Sequence, residues 1–183
     1  MKKFELTREF ITFLGRKLFR IKALVEFGDV KAGELGGYVE KEENIDHEGD
    51  AWVYGNAWVC GDALVYGDAW VYGDARVSGD ARVYGDALVY GNARVYGNAL
   101  VVKQEDIIFT AAKFGTIFRT TTAYRTTDGV QINCGCFSGN LEEFREQITQ
   151  TREGRMREKY LHHADEIEMY FDLDLEKEEK EWW

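Results

Sequence analysis

From Gly49 to Val102 the chain repeats every six residues without an insertion, reading GDAWVY, GNAWVC, GDALVY, GDAWVY, GDARVS, GDARVY, GDALVY, GNARVY and GNALVV. Within each hexad, Ala-x-Val alternates with a period of two, which turns the small and branched apolar groups to one side of a short strand. Gly-Asp or Gly-Asn supplies the residues that accept a corner. A strand this short cannot bury its own apolar side, so the chain must wind, and three hexads per coil is the usual solution for this repeat length. Nine hexads then make three regular coils, and positions 18 apart stack. Val53, Val71 and Val89 form one inward ladder, Val59, Val77 and Val95 a second, and Val65, Val83 and Val101 a third, with Ala51, Ala69 and Ala87 beside the first.

The outward positions differ from face to face. One face carries Trp52, Trp70 and Leu88 beside Tyr54, Tyr72 and Tyr90, another Leu64, Arg82 and Leu100, and the third Trp58, Arg76 and Arg94. The six residues of the first of these are the candidate interface, because exposed aromatic area of that size marks a contact surface. The alternative is that the chain's own C-terminal segment covers it.

The fold class expected is mainly β: a short β-solenoid over residues 49–102, an N-terminal hairpin and cap over 1–48, and a small α+β domain over 103–183 with two helices and an acidic tail. In the cap, alternation suggests strands from Phe10 to Leu14 and Lys17 to Glu26 around Gly15-Arg16. His47 falls where valine stands in the regular hexads, which favours a capping or buried role over a catalytic one. Beyond Val102, residues 106–111, 115–125 and 129–135 alternate like strands of an antiparallel sheet. Asn140 and Glu143 make a capping-box pattern ahead of Leu141, Phe144 and Ile148. Met156, Tyr160, His163, Ile167 and Tyr170 then fall on one helical stripe, and the acidic end from Asp172 to Trp183 reads as a solvated tail or a partner-bound one.

The polar candidates gather on the strand Ile117 to Arg125. Alternation sets Arg119, Thr121 and Arg125 on one face, where two guanidinium groups beside a hydroxyl suit a phosphate, and Tyr124 offers a ring to a base. These four are the candidate ligand-binding residues, and a solvated strand face pairing with nearby carboxylates is the alternative. Cys134-Gly135-Cys136 lacks the spacing of a zinc knuckle, and adjacent His162 and His163 point about 100° apart on a helix, so no metal site is expected. No residue is singled out as catalytic, and no cofactor is expected.

Arg16 to Leu24, Leu35-Gly36-Gly37-Tyr38-Val39-Glu40, Glu43-Asn44-Ile45 and Gly49 to Tyr54 together resemble the start of YdcK-like β-solenoid proteins, and with the repeats the resemblance spans residues 16–102. It implies a hexapeptide-repeat solenoid of the left-handed β-helix type, trimers among the relatives, and bacteriophage or prophage origin. Relatives are sometimes labelled transferases by fold, with no agreed catalytic residues to carry over.

The formal charge of −10 lies mostly in residues 103–183, which argues against duplex nucleic acid or an anionic membrane as a general partner. Three cysteines, no apolar run near 18 residues and a start without a secretory signal point to the cytoplasm. The function expected is non-enzymatic binding by a phage-encoded homo-oligomer, trimeric by resemblance, which sequesters a small anionic nucleotide or blocks a host defence protein. The alternatives are a hexapeptide-repeat acyltransferase and a structural assembly protein. Against the acyltransferase, residues 49–102 hold no histidine, the base such chemistry needs.

Overall fold

The computed structural model describes residues 1–114 and 117–173, with residues 111–114 and 117–119 described by their backbone alone. Met1–Ile107 forms one compact unit and the chain from Ile108 on forms another.

In the first unit, β1 (Phe4–Phe13) and β2 (Arg16–Ala23) make an antiparallel hairpin. Its tight turn is Leu14-Gly15, both at positive φ (47° and 80°), one residue earlier than the alternation suggests. The first strand also begins at Phe4 rather than Phe10. A register shift between Leu6 and Phe10 breaks its in-and-out pattern, which is why periodicity alone misses its first half.

β3 (Leu35–Val39) pairs antiparallel with β2 and parallel with the repeats. The nine hexads then supply nine two-residue strands: β4 (Trp52–Val53), β5 (Trp58–Val59), β6 (Leu64–Val65), β7 (Trp70–Val71), β8 (Arg76–Val77), β9 (Arg82–Val83), β10 (Leu88–Val89), β11 (Arg94–Val95) and β12 (Leu100–Val101). They stack as three parallel sheets. The first face runs β1-β2-β3-β5-β8-β11, the second β4-β7-β10 and the third β6-β9-β12. Register is 18 residues throughout, with Val53 over Val71 and Val71 over Val89. Every alanine and valine of the repeat interior from Ala51 to Val101 is at most 1% exposed, so a narrow prism packed by two residue types is the core.

Ahead of the three regular coils stands another, making about four turns. Val39 lies over Val59 and Ile45 bridges to Val65, so this coil is two residues longer than 18. The extra length falls between Ile45 and Val53. Ile45, buried, takes the inward slot, and His47 is carried to the rim instead of standing where valine stands. There its ring packs on Phe4 at 4.6 Å, its Nδ1 accepts the Lys3 amide at 3.1 Å, and its Nε2 meets Glu42 at 2.8 Å.

In the second unit, β13 (Ile107–Phe114), β14 (Ile117–Thr126), β15 (Gly129–Cys134) and β16 (Phe137–Gly139) form one sheet in sequence order. Its last strand, three residues long, is too short to show a period. α1 (Leu141–Thr151) starts with the expected capping box, Asn140 accepting from the Glu143 amide at 2.9 Å and Glu143 from the Asn140 amide at 2.8 Å. α2 (Gly154–Tyr170) buries Tyr160, His163, Ala164 and Ile167. Tyr170 does not join that stripe, being 40% exposed, and Phe171 just past the helix end is buried in its place. Ala123, Ile132, Phe144, Ile148, Tyr160, Ile167 and Phe171 form the core between sheet and helices. The acidic end expected from Asp172 to Trp183 lies outside the described residues beyond Leu173.

Candidate functional site

The second solenoid face carries the aromatic column read from the repeats, and the lead-in segment divides it. Trp52, the first rung, is fully buried. Phe4 and Phe27 meet its ring edge-on at 6.0 and 5.3 Å, so the N-terminal segment covers this end of the face. Trp52 therefore does not contribute to an exposed surface. Below it the rungs open: Tyr54 packs on Trp70 at 5.2 Å, and Tyr72 and Tyr90 stack at 5.2 Å with an 8° tilt. Trp70, Tyr72, Leu88 and Tyr90 are half-buried. The loop bearing Asp29 and Glu34 faces Tyr54, Trp70, Tyr72 and Leu88, and together they line an open groove of about 1010 Å³.

The groove's other wall is a column of carboxylates. Asp50, Asp68 and Asp86 occupy one corner at 18-residue spacing and all line it, as do Asp29 and Glu34. Two like charges about 4 Å apart repel by roughly 1 kcal/mol even in water. The corner does not demand aspartate, since Asn56, Asn92 and Asn98 fill the same position elsewhere in the repeats. The Lys3 ammonium is buried and donates to the carbonyls of Gly49 at 3.1 Å and Ala51 at 3.0 Å. The Tyr54 phenol is pushed up to about 12, first by burial and then by Glu34 and Asp29.

The residues proposed on β14 for a nucleotide are placed differently. Arg119 lies outside the residues whose side chains are described. Thr121, 2% exposed, donates to Cys134 Sγ at 3.2 Å. Arg125 donates to the Phe171 carbonyl at 3.2 Å and lies over that ring at 5.5 Å. Thr121 and Arg125 thus share the face that packs the helices, Thr121 buried and Arg125 half-buried with its guanidinium engaged by the Phe171 carbonyl and ring. Tyr124 is fully buried on the opposite face, its hydroxyl accepting from Asn133 at 2.9 Å, so its ring offers no platform to a base. Alternation finds the two faces of a strand but not which of them is covered.

Cys134 is buried and Cys136 exposed, both unlinked, beside a cavity of about 240 Å³. His163 is held by Thr110 at 2.8 Å and Glu166 at 3.1 Å, while His162 points outward with Glu166 at 3.5 Å. Among the described residues no three of the His, Cys, Asp and Glu side chains are grouped to hold a metal. No described helix is long and apolar enough to cross a membrane.

The coils also carry a recognisable sequence signature. The model of the YdcK Beta solenoid repeat matches residues 57–73, 69–85, 75–91 and 81–97 in overlapping stretches. Residues 57–97 carry the YdcK β-solenoid repeat. No curated protein matches the chain. The YdcK repeats account for the rungs Trp70, Tyr72, Leu88 and Tyr90 and for Asp68 and Asp86. Asp29, Glu34, Asp50 and Tyr54 come from the segment ahead of the matched residues. Sequence reading singled out the rings and missed the acids, although reading the corner as a column, Asp at 50, 68 and 86 against Asn at 56, 92 and 98, exposes them.

Proposed function

We propose that this chain is a non-enzymatic binding protein whose working surface is the groove on the second solenoid face, and that its partner is a protein whose activity it blocks. The observation that carries this reading is the open run of half-buried rings below Trp52. Exposed contiguous aromatic surface rimmed by polar groups is the mark of a protein contact, and the rings sit on a rigid prism that loses little freedom when a partner arrives. The acyltransferase reading gains no support from His47, the histidine closest in sequence to the repeats, because both of its ring nitrogens are engaged within the cap. The nucleotide reading loses its support at Thr121, Tyr124 and Arg125, each of which is occupied in holding the second unit together. Blocking of a host protein, phage origin and a cytoplasmic setting are parts of the same proposal.

A photo-crosslinking amino acid placed at Tyr72, with the same group placed at Arg82 on the third face as control, tests it in extract of the source cells. Adducts of defined mass at position 72 and none at 82 are expected. Equal labelling at both positions, or none at 72, overturns the reading.

A further inference from the structure

The first and second faces treat aromatic side chains in opposite ways. On the first face the chain supplies its own cation: the Arg76 guanidinium lies over Trp58 at 5.4 Å and over Phe13 at 5.9 Å. On the second face Trp70, Leu88, Tyr54 and Tyr72 line the groove with five carboxylates, and no Lys or Arg is among the described residues that line it. Lys3, buried, aims its donors at main-chain carbonyls and its charge reaches Asp50 and Asp68, so this one ammonium offsets only part of the charge of the five carboxylates.

We propose that the groove receives an extended basic segment of the partner protein, with Lys or Arg side chains set between the Asp50, Asp68 and Asp86 column and the rings of Tyr54, Trp70 and Tyr72. This deepens the binding reading above and rests on it. A guanidinium is matched to both walls, pairing with a carboxylate through its edge and stacking on a ring through its face. The spacing also fits. Carboxylates one coil apart repeat at about 4.8 Å, and alternate side chains of an extended strand at about 6.8 Å, so two cations two residues apart span most of the column. The same charge disfavours a second copy of this chain as the occupant, because the face would meet its own acids.

Calorimetric titration of the whole chain with an eight-residue peptide alternating Arg and Thr tests the assignment, with an alternating Glu and Thr peptide and spermidine as controls. Saturable binding of the basic peptide is expected, weakening at least tenfold between 50 and 500 mM salt, with none for the acidic peptide. In the double variant Asp68→Asn/Asp86→Asn the affinity should fall at least tenfold with no loss of melting temperature, since asparagine already stands at the matching position of the other two corners, at Asn56, Asn92 and Asn98. Trp70→Ser should weaken binding as well. No saturable binding, an unchanged affinity in the double variant, or spermidine binding as tightly as the peptide overturns the basic-segment assignment. So does a doubled mass in light scattering that Trp70→Ser abolishes. If crosslinks at position 72 persist while the basic peptide fails, only the chemistry of the partner is wrong; if both fail, the binding face itself is wrong.

Discussion

An alanine methyl and a valine isopropyl group alternate along each interior rung, and with both at most 1% exposed the prism has no room for a larger group. Ala69→Leu should overpack it and cost about 1–3 kcal/mol in a denaturant melt. At the corners the constraint is backbone rather than volume. Gly73 has φ of 75°, and a Cβ there would stand 3.0 Å from the Gly91 amide nitrogen one coil on, so Gly73→Ala should destabilise by about 1–2 kcal/mol from the left-handed backbone alone, with the close approach adding to it. Tyr54 gives a spectroscopic reading of the groove. Its folded pKa, about 12, lies above the ordinary 10, so the folded chain holds that proton more tightly than the unfolded one. The associated stability is complete below pH 10 and is lost as pH climbs toward 12. Absorbance titration near 295 nm should show one phenol ionising at about 12 that is absent in Tyr54→Phe.

Each coil is also held to the next with a direction. Around the corners the amides of one coil donate to the carbonyls of the following one, as in Asn56 to Gly73, Asp68 to Gly85 and Asp74 to Gly91. The lead-in coil meets the carbonyls of the first regular coil in the same way on two faces, as in Tyr38 to Ala57 and Asp46 to Val65, which leaves the stretch at Gly49 and Ala51 to another donor. Lys3 answers with a donor, its buried ammonium bonding Gly49 and Ala51; at the far end Asp106 answers with an acceptor, taking the amides of Val102 at 2.9 Å and Lys103 at 3.1 Å. Lys3→Met keeps the bulk and removes the donor, which should cost about 1–3 kcal/mol. Desolvation holds the Lys3 ammonium below its usual range, so in the alkaline window below 10.5 the unfolded chain binds more protons and the wild type gains stability as pH rises. The gap between wild type and Lys3→Met should widen across that window in parallel melts. The regular coils were legible in the sequence because period and slot coincide in every hexad. The lead-in coil was not, because Lys41 to Asn44 replaces Gly-Asp at a corner by a 3-10 turn and two further residues before Val53 shift the frame. The same turn closes the last coil at Gln104–Asp106, so Lys-x-x-Asn-Ile and Lys-x-x-Asp-Ile are the paired signals that bracket the repeats.

For the molecule as a whole, charge decides how the candidate site is used. The site was half legible: periodicity placed Trp70 and Tyr72 outward, but nothing in a repeat says that Phe4 and Phe27, some 25 to 48 residues earlier in the chain, fold back over Trp52. The same blindness put Thr121 and Tyr124 at a surface, since a strand with two covered faces alternates no differently from a strand with one. Once the covering segments are in place, the second face is acidic as well as aromatic, on a chain whose formal charge is already −10. An isologous contact through this face would set each copy's Asp50, Asp68 and Asp86 against the other's Asp column or its Asp29 and Glu34, and at the short separations of an interface such pairs cost more than stacked rings return. A homo-oligomer, the arrangement that the family resemblance implies, must then use another surface. Trp70→Ser with Tyr72→Ser should leave the mass in light scattering equal to that of the wild type at every salt concentration from 50 to 500 mM. A lower mass in the double variant would mean that the rings pair with one another between copies despite the carboxylates, and the face would be an assembly surface instead of a site for a foreign partner.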